Sequence, residues 1–148
     1  MGYLGEAAGV EDDLCVRAYL KYRARMRGEQ SRKIRHRVEE AMERCGITHL
    51  AEREIATLSF GERKRTALAD AILLRPRFLI LDDVFAGLDP ATRVKVAEMV
   101  ASVTSFASVI IAGHEIDDFA GIARRFLVLK DAHLYEAANV HALREALA

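Results

Sequence analysis

The stretch 78–90, which reads FLILDDVFAGLDP, decides the fold of this 148-residue chain. It opens with four consecutive apolar residues that run directly into Asp82 and Asp83. An unbroken apolar run, in place of alternation, is typical of a strand that is covered on both faces in a parallel sheet. Ligands bind outside the carboxyl ends of such strands, so the two carboxylates lie where a cation could be held. Asp89 followed by Pro90 predicts that a capped helix comes next.

Size, charge and cysteine content limit the class of protein. A chain of 148 residues is close to the usual size of one domain. The 22 basic and 22 acidic residues balance, so the net charge indicates no particular partner. Between residues 17 and 37, however, there are nine Lys or Arg residues and only one acidic residue. Cys15 and Cys45 are too few for a disulfide framework or a zinc site. No apolar run reaches membrane-spanning length, so we predict a soluble, cytoplasmic protein.

Two helices are predicted in the first third of the chain. Asp12 or Asp13 can cap the first, which ends at Gly28, and Ser31 can cap the second, which ends at Gly46. Basic residues interleaved with an apolar stripe are more often a solvated helix face than a nucleic-acid site. We expect no nucleic-acid partner, because no aromatic platform accompanies the charge. A steep loss of binding with added salt would support that alternative.

The segment 58–62, LSFGE, predicts the start of a third helix. Ser59 is a good N-cap, and Gly61 would let a ligand approach the backbone, so free amides could face an anion. A second buried run, 108–112, ends just before His114. His114 is therefore expected at the same sheet edge as the two carboxylates that follow the first run.

These segments together predict an α/β fold. Its short parallel core contains the strands 78–82 and 108–112, and the helical subregion is inserted before the third helix. A short helix over 115–124, a closing hairpin from 126–129 and 134–136, and a last helix capped by Asn139 complete the chain. Because no upstream strand and helix precede this core, we expect an uncovered apolar sheet surface, with self-association or marginal stability.

The ordered motifs resemble those of the ATP-binding cassette (ABC) ATPases, whose fold is P-loop NTPase-like. The matching segments, in chain order, are YLGE at 3–6 (Q-loop, with Glu6 in place of Gln), LSFGE at 58–62 (signature motif), FLILDD at 78–83 (Walker B strand), AGLD at 86–89 (D-loop) and His114 (switch histidine). The Glu form of the Q-loop most resembles the ATP-binding subunits of multidrug and ABC-2-type exporters. The resemblance covers essentially the whole chain.

The resemblance implies a site for ATP and Mg²⁺ between head-to-tail nucleotide-binding subunits, which couples ATP binding and hydrolysis to transport. Asp82 would hold Mg²⁺, Asp83 would polarise the attacking water, and the signature motif would face the γ-phosphate held by the opposite subunit. The implied site residues are Asp83 and His114 as catalytic groups, Ser59, Gly61, Glu62, Glu6 and Asp89 as cofactor-binding groups, and Asp82 as the metal ligand.

The resemblance also implies a domain organisation and partners. Residues 1–148 would form a single partial nucleotide-binding domain, with a Q-loop region (1–10), a helical subdomain (11–57) and the signature-to-C-terminal part (58–148). The helical subdomain would face a transmembrane transporter subunit, which would keep the chain peripheral to the inner face of the membrane. A second nucleotide-binding subunit, or self-association, would complete the site.

Two departures from the family pattern leave ATPase activity open. The chain contains no G-x-x-x-x-G-K-[ST], the loop that cradles phosphates, and in the family this loop lies upstream of the Q-loop. The chain therefore resembles the C-terminal part of such a domain and is expected to bind and hydrolyse ATP poorly alone. Asp83 stands where the family has Glu, which draws the carboxylate back by one methylene. The alternative is a non-catalytic interaction or assembly half-domain.

Overall fold

A computed structural model describes residues 1–5, 13–115, 117 and 121–147. It divides the chain into two compact units, Met1–Ala112 and Gly113–Ala148. The strands and helices follow in the order β1 (Gly2–Leu4), α1 (Val16–Met26), α2 (Ser31–Arg44), two single-turn 3-10 helices (Thr48–Leu50 and Ile55–Thr57), α3 (Phe60–Ile72), β2 (Phe78–Asp82), α4 (Pro90–Val103), β3 (Ser108–Ala112), β4 (Phe126–Lys130), β5 (His133–Ala137) and α5 (Val140–Leu147).

The first unit is built on a three-stranded parallel sheet in the order β1-β2-β3. Its register aligns Tyr3 with Ile80 and Ile80 with Ile110. The predicted α/β fold with a parallel sheet is confirmed, and both predicted strands are present. In β2 the alternate residues Leu79 and Leu81 are buried, whereas in β3 exposed and partly buried residues alternate. Helices connect these parallel strands.

The two faces of this sheet are not equally covered. Leu79 and Leu81 are fully buried, whereas Tyr3, Phe78 and Ile110 are each 58–59% exposed. The expectation that the first run is covered on both faces is therefore wrong in this structure. The expectation of an uncovered apolar sheet surface is confirmed. We call the surface formed by Tyr3, Phe78 and Ile110 the open face.

The helices α1 and α2 begin differently from the predictions. Cys15 and Gln30 are the N-caps, without side-chain cap bonds, and Ser31 is the first residue of α2. The amides of Val16 and Arg17 at the start of α1 donate to the carbonyls of residues 53 and 51, at 3.1 and 2.9 Å. These backbone acceptors make a capping side chain unnecessary at α1, so the predicted cap at 13 is wrong. The predicted cap at 31 is also wrong, because Ser31 is already the first residue of α2. Residue 12 lies outside the described residues.

The predicted ends of both helices are confirmed. Gly28 and Gly46 follow the two helices with φ of +80° and +59°. This left-handed conformation, which glycine adopts without steric cost, ends the helical hydrogen-bond pattern. The glycines therefore set the lengths of α1 and α2.

The second unit consists of the β4-β5 hairpin and α5. Its two-residue turn, Asp131 and Ala132, has φ of +51° and +61°, as in type I′ hairpin turns. Asn139 accepts a hydrogen bond from the Ala142 amide at 2.9 Å, which confirms the predicted cap of the last helix. The helix predicted over 115–124 is not present at residues 121–124, where the chain turns at Gly121.

Candidate functional site

The signature segment begins α3 with a capping box. The Glu62 amide donates to the Ser59 hydroxyl oxygen at 3.3 Å, and the Glu62 carboxylate accepts from the Ser59 amide at 2.8 Å. The bond from the Ser59 amide is the main reason why the pKa of Glu62 is lowered. Arg53 also contacts this carboxylate, at 3.3 Å. Ser59 is thus the N-cap, as predicted, and the Glu62 side chain holds the helix start.

The two adjacent carboxylates lie at the carboxyl end of β2. Asp82 is the last residue of the strand and aligns with Ala112 of β3. Asp83 extends the ladder by one bond, since its amide donates to the Ala112 carbonyl at 3.0 Å. The chain then turns sharply, because Asp83 has a φ of +45° and its carbonyl accepts from the Ala86 amide at 3.1 Å. Both aspartates are partly exposed.

The D-loop packs against the signature segment of the same chain. Gly87 has a φ of +73°, and a Cβ added there would lie 3.0 Å from the Phe60 ring. A Cβ on Gly61 would lie 3.1 Å from the methyl group of Thr92, in the first turn of α4. The two glycines therefore permit a close approach of α3 and the start of α4.

Asp89 is the N-cap of α4, as the sequence predicted. Its carboxylate accepts from the Thr92 amide at 3.1 Å and from the Thr92 hydroxyl at 2.6 Å. The hydroxyl bond is the main cause of the lowered pKa of Asp89. Asp89 is exposed.

The sequence analysis missed one residue of this cluster, Lys64. Its side chain is 1% exposed, and its ammonium donates to the Asp83 carbonyl at 3.1 Å. The signal was present in the sequence, because Lys64 shares its helix face with the apolar positions Ala67, Leu68 and Ala71. A lysine within a buried stripe indicates a specific acceptor.

The remaining predicted site residues stay predictions. Glu6 lies outside the described residues. His114 is exposed and belongs to the second unit. Among the described residues, no group of three or more His, Cys, Asp or Glu side chains could hold a metal ion. A Mg²⁺ ion needs no such group, because it is usually bound by one or two carboxylates together with water and phosphate oxygens.

Three comparisons relate this chain to known proteins. A family model described as "ABC transporter" matches residues 2–86. The thiamine import ATP-binding protein ThiQ of Ruegeria sp. (strain TM1040) is 38% identical over 113 residues, which are 75% of this chain and 49% of that protein. The uncharacterized ABC transporter ATP-binding protein YxlF of Bacillus subtilis is 26% identical over 145 residues, 98% of this chain and 49% of that one.

The solved structure of cbiO1 from Clostridium perfringens, described as part of the ABC transporter complex cbiONQ, has the same fold. Its TM-score is 0.86 at 27% identity, over 98% of this chain and 59% of that one. The chain thus spans about half the length of the curated relatives that it matches. Within the described residues, no helix is both long and apolar enough to cross a membrane.

Proposed function

The chain belongs to the ABC transporter family, and we propose that it supplies the signature and Walker B part of an ATP site shared between two nucleotide-binding subunits. The observation that carries this proposal is the packing of three motifs in one cluster. Phe60 lies over Gly87, Gly61 lies against Thr92, and Lys64 of the same helix donates to the carbonyl at the Asp83 turn. The family is one of ATP-binding proteins, and its signature and D-loop segments would act at the same interface.

The donor set fits Mg²⁺ and the phosphates of ATP. Asp82 and Asp83 present hard carboxylate oxygens at the end of β2, and both are partly open to solvent. Asp82 would hold the metal, and Asp83 would orient the attacking water and accept its proton. When bound, Mg²⁺ neutralises charge on the phosphates. His114 would sense the γ-phosphate, and Glu6 would contribute to the metal and water environment.

The signature segment would recognise ATP that the opposite subunit holds. The N-terminus of α3 carries a partial positive charge, and Ser59 is exposed there while Gly61 is partly exposed. Glu62 would take part indirectly, since its carboxylate holds the Ser59 amide. Asp89 would cross to the second subunit. The 148 residues contain no G-x-x-x-x-G-K-[ST], so the loop that cradles the phosphates would come from outside them.

The helical subdomain, 11–57, would bind a transmembrane subunit and hold the chain at the cytoplasmic side of the membrane. It carries exposed basic residues on α1 and α2 (Arg25, Arg32, Lys33, Arg35). One relative is described as part of a transporter complex, which supports this arrangement. The proposed likeness to exporters stays a prediction, since the named relatives include an import protein.

Nucleotide-dependent association tests the proposal. The chain is mixed with a nucleotide-binding domain that carries the phosphate-binding loop and has its own signature disabled, and association is followed by analytical ultracentrifugation with Mg²⁺-ATP or Mg²⁺-ADP. We expect ATP to strengthen association at least tenfold. Ser59→Ala should weaken it, and Lys95→Met, on the exposed part of α4, should leave it unchanged. Association that does not depend on the nucleotide would contradict the proposal and favour a non-catalytic assembly half-domain.

A further inference from the structure

Lys64 is a buried lysine on a face of α3 whose other residues are small or apolar. Its side chain is 1% exposed, among the most deeply buried large side chains of the described residues. Removing an ammonium group from water is strongly unfavourable in free energy unless the group finds polar partners. A lysine at this position therefore indicates a function for the contact that it makes.

That contact is with the backbone of the candidate base. The Lys64 ammonium lies 3.1 Å from the Asp83 carbonyl oxygen, which also accepts from the Ala86 amide at 3.1 Å. Asp83 has a φ of +45°, in the left-handed region that non-glycine residues rarely occupy. Such a conformation persists only where surrounding contacts hold it. Two donors on one carbonyl, one of them charged, are contacts of this kind.

We propose that Lys64 is a positioning residue, which fixes the Asp83 turn and thereby the direction of the Asp83 carboxylate. The carbonyl and the side chain of Asp83 leave the same Cα, so fixing the peptide plane after this residue restricts where the carboxylate points. Lys64 also lies in the same helix as the signature segment, two residues beyond its end at Glu62. A displacement of α3 would therefore be transmitted to Asp83. The expected effect of Lys64 on catalysis rests on the proposed function, whereas its expected effect on the Asp83 turn does not.

Site-resolved hydrogen exchange tests the structural part. In Lys64→Met, which keeps most of the stem and removes the donor, we expect exchange of the Ala86 amide to accelerate at least tenfold, with α3 and β2 amides nearly unchanged. Lys95→Met makes the same change at an exposed position and should alter none of them. Equal protection of Ala86 in both variants, or a uniform acceleration along the chain, would overturn the proposal.

A measurement on the unaltered chain keeps the test decisive if Lys64→Met does not fold. In ¹H–¹⁵N spectra, the Lys64 ammonium protons should be protected from exchange and show a nuclear Overhauser effect to the Ala86 amide. An ammonium signal that exchanges as fast as that of Lys95 would overturn the proposal.

Steady-state kinetics test the catalytic part, in an assembly with a domain that carries the phosphate-binding loop but whose own Walker B carboxylates are replaced by amides, so that turnover depends on Asp83. Lys64→Met should lower kcat at least tenfold and leave KM for ATP within twofold, because the base is misplaced but the nucleotide contacts are not. An unchanged kcat would overturn the catalytic consequence. If the assembly of the unaltered chain shows no turnover, the proposed function has failed, and the exchange and spectral results still decide the role of Lys64 in the turn.

Discussion

The two faces of the β1-β2-β3 sheet carry the same kinds of residue and lie in opposite environments. On one face Leu79 and Leu81 are completely buried, and on the open face Phe78 and Ile110 are each 58% exposed. Parallel sheets are normally covered on both sides. The comparison shows that the chain's own helices are sufficient to close one face, while they leave the apolar residues of the open face exposed. Four predictions test this difference.

The largest effect is expected from paired truncations on the two faces. Leu81→Ala should lower the free energy of unfolding by about 3 kcal/mol, because it leaves a cavity in a closed core. Ile110→Ala, on the open face, should cost less than about 1 kcal/mol, since the side chain is already in contact with water. Urea denaturation of both variants measures the difference. Equal losses would show that the open face is covered in solution.

The second prediction concerns the helix that covers the closed face. Asp70 of α3 is buried and accepts hydrogen bonds from Arg23 and Arg27, at 3.0 and 2.7 Å to one carboxylate oxygen. Asp70→Asn removes the charge that holds α1 against α3 and should cost about 2 kcal/mol. The exposed pair Arg125–Glu136 is the control, because Glu136→Gln should barely change the unfolding midpoint. Similar midpoints for both variants would contradict the account.

The third prediction concerns the cap that begins the covering helix. Ser59→Ala should cost about 1 kcal/mol, the usual effect of removing an N-cap hydroxyl. The lowered pKa of Glu62 gives the cap a pH dependence. A carboxyl group with a lowered pKa in the folded state stabilises fully above its ordinary pKa and loses that contribution as the pH falls through the lowered value. Glu62→Gln should therefore flatten the acid limb of the stability–pH profile, and an unchanged limb would contradict this.

The smallest effect on stability, and a large one on association, is expected from polar substitutions on the open face. Tyr3→Thr together with Ile110→Thr should change the free energy of unfolding by less than about 1 kcal/mol. The same pair should reduce self-association, because it removes exposed apolar area from one surface. Sedimentation velocity across a concentration series gives the result. Undiminished self-association would locate the contact surface elsewhere.

The sequence was sufficient where a local pattern fixes the structure. The apolar runs predicted β2 and β3, and the caps at Ser59, Asp89 and Asn139 are present because each side chain reaches the amide three residues on. The sequence was insufficient where hydrogen bonds to distant backbone groups determine where a helix begins. The start of α1 uses the carbonyls of residues 51 and 53, which no local pattern reveals.

Tertiary context also explains why the sequence did not predict the exposure of Phe78 or the contact between Lys64 and the Asp83 turn. An apolar run shows that a strand is buried, but it does not show which neighbours cover each face, so the exposure of Phe78 was not foreseen. The left-handed turn at Asp83 and its contact with Lys64 join two segments 19 residues apart. Their spacing carries no signal until α3 is placed beside β2. The motif resemblance proposed the site residues, and the folded chain shows the contacts that hold Ser59, Glu62, Asp83 and Asp89.

The most direct test of the central claim is ATP turnover by the shared site. Hydrolysis is measured with Mg²⁺-ATP for the chain alone, for the chain with a domain that carries the phosphate-binding loop but whose own Walker B carboxylates are replaced by amides, and for the same assembly with Asp83→Asn. The account predicts negligible turnover alone, measurable turnover in the assembly, and its loss with Asp83→Asn. Turnover by the chain alone, or an assembly whose activity is indifferent to Asp83→Asn, would contradict it.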